Sequence, residues 1–263
     1  MTEQPAIRFE DGAAYEQAMG GWSRLAGEIF VDWLAPQPGL RWIDVGCGSG
    51  AITELLMQRC APIEIHGVDP SESQLAFART RPGARGAQFQ RGDAMALPFP
   101  DNRFDAAVMA LVIFFVPDPA KGVAEMARVV RPGGTIAAYA WDMAGGGFPF
   151  HPIQAEFRAI GITPPMPPSV DASRTETLRR LWTEAGLASV ETRAITPQRT
   201  FDSFDEFWAI STTGGSIRPT LAAMAPGDVQ QLKERVRARL PADAQGRITY
   251  GARANAIKGR LPA

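Results

Sequence analysis

The sequence predicts an α/β protein: a doubly wound, mostly parallel sheet of seven strands, with helical segments inserted as a lid. Three observations predict it. From about residue 40 to 142, short apolar runs alternate with stretches of helical spacing, the rhythm of parallel strands joined by helices. The first such run enters "VGCGSG", three glycines within five residues, where a strand must turn tightly into a helix. The next two runs end in aspartates, Asp69 in "GVDPSES" and Asp93 in "RGDAM".

In chain order, residues 23–34 are predicted as a helix, with Ser23 as its cap and Leu25, Ile29, Trp33 and Leu34 on one apolar stripe. "APQPG" ends it. "LRWIDV" is a short buried strand, and "AITELLMQR" resumes helical spacing through Ile52, Leu55 and Leu56. "IEIHGVD" is the second strand; Ser71 and Gln74 form a capping-box pattern that opens the next helix. "AQFQRGD" and "FDAAVMALVIF" are strands three and four. Asp118 and Pro119 take the cap and first-turn positions of "PAKGVAEMARVV", and "TIAAYAWD" is strand five. Beyond Asp142 the rhythm fails. "MAGGGFPFHPIQ" and "GITPPMPPSVDAS" are rich in glycine and proline, and residues 143–172 and 201–225 are expected to be lid segments over the sheet's carboxyl edge. A helix over about 173–186, a strand at "SVETRAI", the amphipathic helix "PGDVQQLKERVRARL" and a last strand in "GRITYGARANAIKG" return residues 173–200 and 226–263 to the core sheet, whose main part is 1–142.

Composition narrows the function. The chain has 263 residues, 45% of them hydrophobic, enough for a full core. A net charge of −1 gives no field for nucleic acid or acidic lipid, and the local run Lys233, Arg235, Arg237, Arg239 reads as a solvated helix face. Two cysteines, Cys47 and Cys60, make no disulfide framework or metal set, so a reduced cytoplasmic setting and no metal are expected. The polar start "MTEQPAIRFEDG" lacks the apolar region of a signal peptide, and no run approaches the roughly 20 apolar residues of a membrane span.

In an open parallel sheet, ligands bind outside the carboxyl ends of the strands, where the strand order switches. The loop Gly46–Gly50 lies there, and the helix after it aims backbone N–H groups at the same place. Asp69 is placed to accept from both hydroxyls of a ribose, and Asp93 from an exocyclic adenine amine. A dinucleotide is the rival, because Gly46, Gly48 and Ala51 match G-x-G-x-x-A. Asp44, two residues before Gly46, is an awkward neighbour for a pyrophosphate and suits a cationic ligand better. His66 lies within strand two and reads as structural, and Cys47 as a small packing residue.

"WIDVGCGSGAIT", "GVDPSES", "RGDAMALPFPDNRFDAAVMA" and "VVRPGGTIAAYAWD" resemble the ordered motifs of class I S-adenosylmethionine-dependent methyltransferases. The resemblance is nearest the small-molecule branch that includes ubiquinone/menaquinone-biosynthesis C-methyltransferases, and it covers about 40–142. It implies a Rossmann-like fold and S-adenosylmethionine as cofactor. The glycine loop, with Gly46, Cys47 and Gly48, would pack on the methionine moiety. Asp69 would hold the ribose, Asp93 and the Ala94 N–H the adenine, and Ala110 to Val112 the methionine end, with Pro70 and Gln74 as further cofactor-binding positions. "YEQAMGGWS" resembles the segment that folds over the cofactor, with Tyr15 near its carboxylate.

Methyl transfer needs alignment and a dry site more than a catalytic motif, and none is evident. Tyr139, Asp142 and His151 are candidate bases. Phe114, Phe115, Trp141, Phe148 and Phe150 are candidates to line an acceptor pocket. Phe148, Phe150, Phe157, Met166, Phe204, Phe207 and Trp208 are expected to roof it. The expected partner is thus a small, partly apolar methyl acceptor, with homodimerisation left open. The alternatives are a cofactor-binding protein of this fold without turnover, acting as a sensor or partner, and a protein or nucleic-acid methyltransferase. The "(D/N)PP(Y/F)" motif of many nucleic-acid enzymes is replaced here by "MALVIFF".

Overall fold

The computed structural model describes residues 16–213 and 217–263. A single turn of π-helix, Glu16–Gly20, leads into α1 (Gly21–Leu34). The central sheet is then laid down by β1 (Arg41–Val45), α2 (Ala51–Cys60), β2 (Glu64–Asp69), α3 (Glu72–Ala78), β3 (Gln88–Arg91), β4 (Phe104–Ala110), α4 (Pro119–Val129) and β5 (Val130–Trp141). β1 pairs in parallel with β2 and β4, β2 with β3, and β4 with β5. The chain winds outward from β1 to β3, then restarts at β4 on the other side of β1. The switch of direction, and with it a crevice, falls between β1 and β4.

Local chemistry explains the helix starts. Ser71 Oγ accepts from Gln74 N at 3.4 Å and caps α3, but the box is not reciprocal, because the Ser71 N–H goes to Asp69 Oδ1. Asp118 Oδ1 accepts from Lys121 N at 3.1 Å, with Pro119 in the first turn of α4. Ser23 is not a cap: α1 begins two residues earlier, and Ser23 is buried on its inner face. β1 and β4 are buried along almost their whole length, as strands covered on both faces must be.

The C-terminal part is more divided than its pattern predicts. After α5 (His151–Ala159), α6 (Thr175–Glu184) and β6 (Ala188–Ile195) comes a short strand, β7 (Gln198–Phe201). The predicted 201–225 segment holds two helices, α7 (Phe204–Ser211) and α8 (Ile217–Ala222), and is followed by α9 (Pro226–Arg239). The single last strand is in fact two, β8 (Ile248–Gly251) and β9 (Ala254–Arg260). β8 pairs with β7 as a separate antiparallel ribbon, while β9 runs antiparallel between β5 and β6, completing the order β3-β2-β1-β4-β5-β9-β6. The break at Gly251–Arg253 lets one run of residues serve two sheets.

Residues 143–172 are anchored at both ends. Ser169 donates its N–H to Phe114 O at 3.0 Å and its hydroxyl to Val116 O at 2.7 Å, and α5 packs on α9. The buried Glu156 on α5 pairs with Arg235 and Arg239 of α9, and Lys233 and Arg237 pair with Asp205. The basic run is therefore half-exposed and ion-paired rather than a free solvated face. No helix among the described residues is long and apolar enough to cross a membrane.

Candidate functional site

A cavity of about 510 Å3 opens at the carboxyl ends of β1, β2, β4 and β5. Its floor is the loop after β1. Gly46 has φ +73°, and a Cβ there would stand 2.5 Å from Val112 Cγ1, so no larger residue fits. Gly48 also has a positive φ, and a Cβ there would meet nothing nearer than Gln74 Oε1 at 3.9 Å: that glycine faces open space. The loop is tied to β2 by the N–H groups of Gly46 and Cys47, both donated to Val68 O. No side chain caps the start of α2, which leaves its first N–H groups for a ligand.

Asp69 closes β2 and is nine-tenths buried. Its Oδ2 accepts from Gly48 N and its Oδ1 from Ser71 N, each at 2.9 Å. Burial pushes its carboxyl up, while the two N–H groups hold it down. Each oxygen keeps one lone-pair site for a further donor. Gln74 is buried against the same wall, and its Oε1 has no partner among the described residues. Pro70, Asp93, Ala94 and Ala110 also line the cavity. Asp93 lies past the end of β3, which stops at Arg91, in a bridge with Ala96; its Oδ1 accepts from Met95 N at 2.8 Å.

Cys47 lines the cavity as a packing residue. Burial, then the charges of Asp44 and Asp69, push its thiol well above the usual range, so it is no nucleophile. Tyr139 is the one candidate base in the wall; its ring packs on Phe30 at 4.7 Å. Phe115 is the one candidate aromatic there.

Other expected residues stand elsewhere. Asp44 does not line the cavity. It is wholly buried beneath the loop, where Oδ2 accepts from Thr53 Oγ1 at 2.5 Å and Oδ1 has no partner among the described residues. Burial pushes its carboxyl up to about 7. Asp142 is taken up by a turn, accepting from Gly145 N and pairing with Arg253. His151 opens α5 with its ring against Gly146, and burial lowers its pKa; neither residue lines the cavity. None of the seven expected roof residues lines it either. Phe204 and Phe207 join Phe201, Trp22 and Tyr250 in an aromatic cluster under the β7–β8 ribbon. Tyr15 lies outside the described residues. His66 is structural as read, 2.6 Å from Glu64 and edge-on to Phe99 and Phe104.

The structure adds Ser23, which sequence spacing assigned to a helix cap. It lines the cavity, nine-tenths buried, and its Oγ has no partner among the described residues. One turn further along α1, Gly27 fits against Ile52 and Leu55 of α2 and the Tyr139 hydroxyl. The face of α1 that carries Ser23 is therefore laid directly over the start of α2.

The order of strands, the glycine loop and the strand-end acids coincide with one family. Residues 43–138, from β1 to β5, match the family model described as a methyltransferase domain. Residues 43–138 are a methyltransferase domain. The chain is 34% identical over 150 residues to a 2-phytyl-1,4-naphtoquinone methyltransferase of Synechococcus elongatus, covering 55% of this chain and 62% of the relative. It is 38% identical over 120 residues to a ubiquinone/menaquinone biosynthesis C-methyltransferase of Roseobacter denitrificans, covering 44% and 48%. The chain thus spans about half the length of the curated relatives it matches. The fold carries further than the sequence: 96% of the chain superposes on 57% of a Haemonchus contortus phosphoethanolamine N-methyltransferase solved with S-adenosylhomocysteine, with a TM-score of 0.59 at 17% identity. The sheet around the methyltransferase domain is that of the class I methyltransferases.

Proposed function

We propose that the chain transfers a methyl group from S-adenosylmethionine to a small, partly apolar organic acceptor, at oxygen, nitrogen or carbon. One observation carries the reading: among the described residues, the cavity is charged at one end only. Asp69 and Asp93 stand at the β2–β3 end, while Ala110, Leu111, Val112, Phe115 and Tyr139 wall the other, with Ser23 of α1 also in the lining. Its volume falls in the roughly 300–1,000 Å3 of small-molecule sites.

The residues present fit the cofactor. Asp69 keeps a lone-pair site on each oxygen for the two ribose hydroxyls, and Asp93 offers a carboxylate to the adenine amine. The open side of Gly48 and the uncapped start of α2 suit the aminocarboxypropyl chain. The orphaned Gln74 Oε1 is an acceptor awaiting a donor. Bound there, S-adenosylmethionine would supply a methyl already activated on a sulfonium. The chain's own task is to hold acceptor and donor in line and keep water out. A base is needed only for a nucleophile that arrives protonated, and Tyr139 is the candidate in the wall.

The uncharged end suits an apolar ring better than an amine cation or a carboxylate, either of which would need a partner there. The names of the two relatives point to quinone-type acceptors, in keeping with such a wall. The buried free thiols Cys47 and Cys60 agree with a reducing, cytoplasmic setting. Titration calorimetry tests the reading. S-adenosylhomocysteine should bind in the micromolar range and NAD should give no heat. Binding of NAD without a response to S-adenosylhomocysteine overturns it.

A further inference from the structure

Resting on that reading, we propose that Arg81 is a positioning residue that latches the Glu16–Gly20 turn to the glycine loop, so that docking of this turn and cofactor binding are coupled. Arg81 follows α3, and its side chain is only 12% exposed. Its Nε donates to Ser49 O at 2.5 Å, and one terminal nitrogen donates to Glu54 Oε2 at 2.9 Å. The other reaches both Ser49 Oγ, at 3.3 Å, and Glu16 Oε2. One planar guanidinium thereby joins the glycine loop, α2 and the turn that precedes α1. The rigid fork of arginine allows this; the single ammonium of lysine cannot span all three.

Glu16 is the part of the latch that belongs to the N-terminal side. Its Oε2 also accepts from Ser49 Oγ at 3.2 Å. Gly20, four residues on, makes room for it: a Cβ at Gly20 would overlap the Glu16 carboxylate. Ser49 lines the cavity beside Gly48, so the latch closes on the loop that meets the ligand. α1 follows directly from the turn and brings Ser23 over the same cavity. Anything that settles the glycine loop settles Arg81, the donor to the turn's Glu16 carboxylate, and the reverse holds by linkage.

The roles can be separated because Glu16, among the described residues, reaches the loop through Arg81 and Ser49 and is itself partly exposed. Glu16→Ala and the milder Glu16→Gln are compared with the wild-type chain. S-adenosylhomocysteine affinity is measured by calorimetry and amide exchange over residues 17–24 with and without ligand. The latch predicts that Glu16→Ala weakens S-adenosylhomocysteine by about 5- to 20-fold, with Glu16→Gln between it and wild type. It also predicts that ligand raises protection of 17–24 in the wild type and much less in Glu16→Ala. An affinity within twofold of wild type, or the same ligand-induced protection in the variant, overturns the latch while leaving the cofactor reading intact. A wild-type chain that does not bind S-adenosylhomocysteine overturns both.

Discussion

Replacing Asp69 by alanine removes one carboxylate with two duties. In the free protein it receives the N–H groups of Gly48 and Ser71, each at 2.9 Å, from a nine-tenths buried position. Alanine leaves both donors without an acceptor. At about 1 kcal/mol for each bond, stability should fall by about 2 kcal/mol, or roughly 4–8 °C in Tm for a chain of this size. A strand-end acid that supported little packing would leave Tm unchanged; the two N–H groups are the reason to expect otherwise. In the complex, the same change removes the charged acceptor for two ribose hydroxyls. Hydrogen bonds to charged groups contribute about 1.5–3 kcal/mol each, so losing two should lower S-adenosylhomocysteine affinity by about two to four decades. Calorimetry gives the affinity and a thermal melt the stability, both on the intact chain. Asp69→Asn is the control, keeping one acceptor oxygen and the side-chain volume, and should fall between. An unchanged dissociation constant refutes the ribose contact, and an unchanged Tm refutes the support given to the loop.

Three further outcomes follow from the geometry. Asp44 titrates at about 7 when folded against 3.8 as the ordinary value, so between about pH 4 and 7 the folded state holds a proton that the unfolded chain has released. Its contribution is fully present below about pH 4 and is lost as pH rises through 7; the Tm advantage of Asp44→Asn should grow from pH 5 to pH 8, and a flat difference across melts refutes the assignment. Ser23→Ala should weaken S-adenosylhomocysteine by about 5- to 30-fold and leave 5′-methylthioadenosine, which lacks the aminocarboxypropyl chain, unchanged; equal losses for both would make Ser23 merely structural. Asp142→Ala breaks the turn that Arg253 closes and should lower Tm by about 2–6 °C, with S-adenosylhomocysteine affinity within twofold of wild type, since its carboxylate is outside the cavity; a large loss of affinity would return it to the site.

Local chemistry made the central sheet legible. Strand-to-helix alternation, the glycines of the β1–α2 loop and the caps at Ser71 and Asp118 are short-range signals, and each acts where its residues stand in the chain. They put Asp69 and Asp93 at one crevice, because consecutive parallel strands end at the same edge of the sheet; Pro70, Gln74, Ala94 and Ala110 came only with the family resemblance. The order of motifs also carried the family resemblance, which required no contact to be known.

What the sequence by itself determined, then, is the sheet, its switch point and the edge where a ligand would lie. Tertiary packing decided which side chains face that ligand. Asp44 and Asp69 both stand at strand ends, yet Asp44 is the next-to-last residue of β1 and faces down to Thr53, while Asp69 is the last of β2 and meets the loop. Successive side chains on a strand take opposite faces, so a single position separates a buried acid from a ligand-facing one. Ser23 reads as a cap until the helix is seen to begin at Gly21, which turns it inward. The C-terminal aromatics are apolar wherever they are placed; only the pairing of β7 with β8 drew Phe201, Phe204 and Phe207 into a cluster of their own and away from the cavity. The hydrophobic effect has no direction, so a pattern of apolar residues predicts burial and leaves the choice of neighbour to the fold.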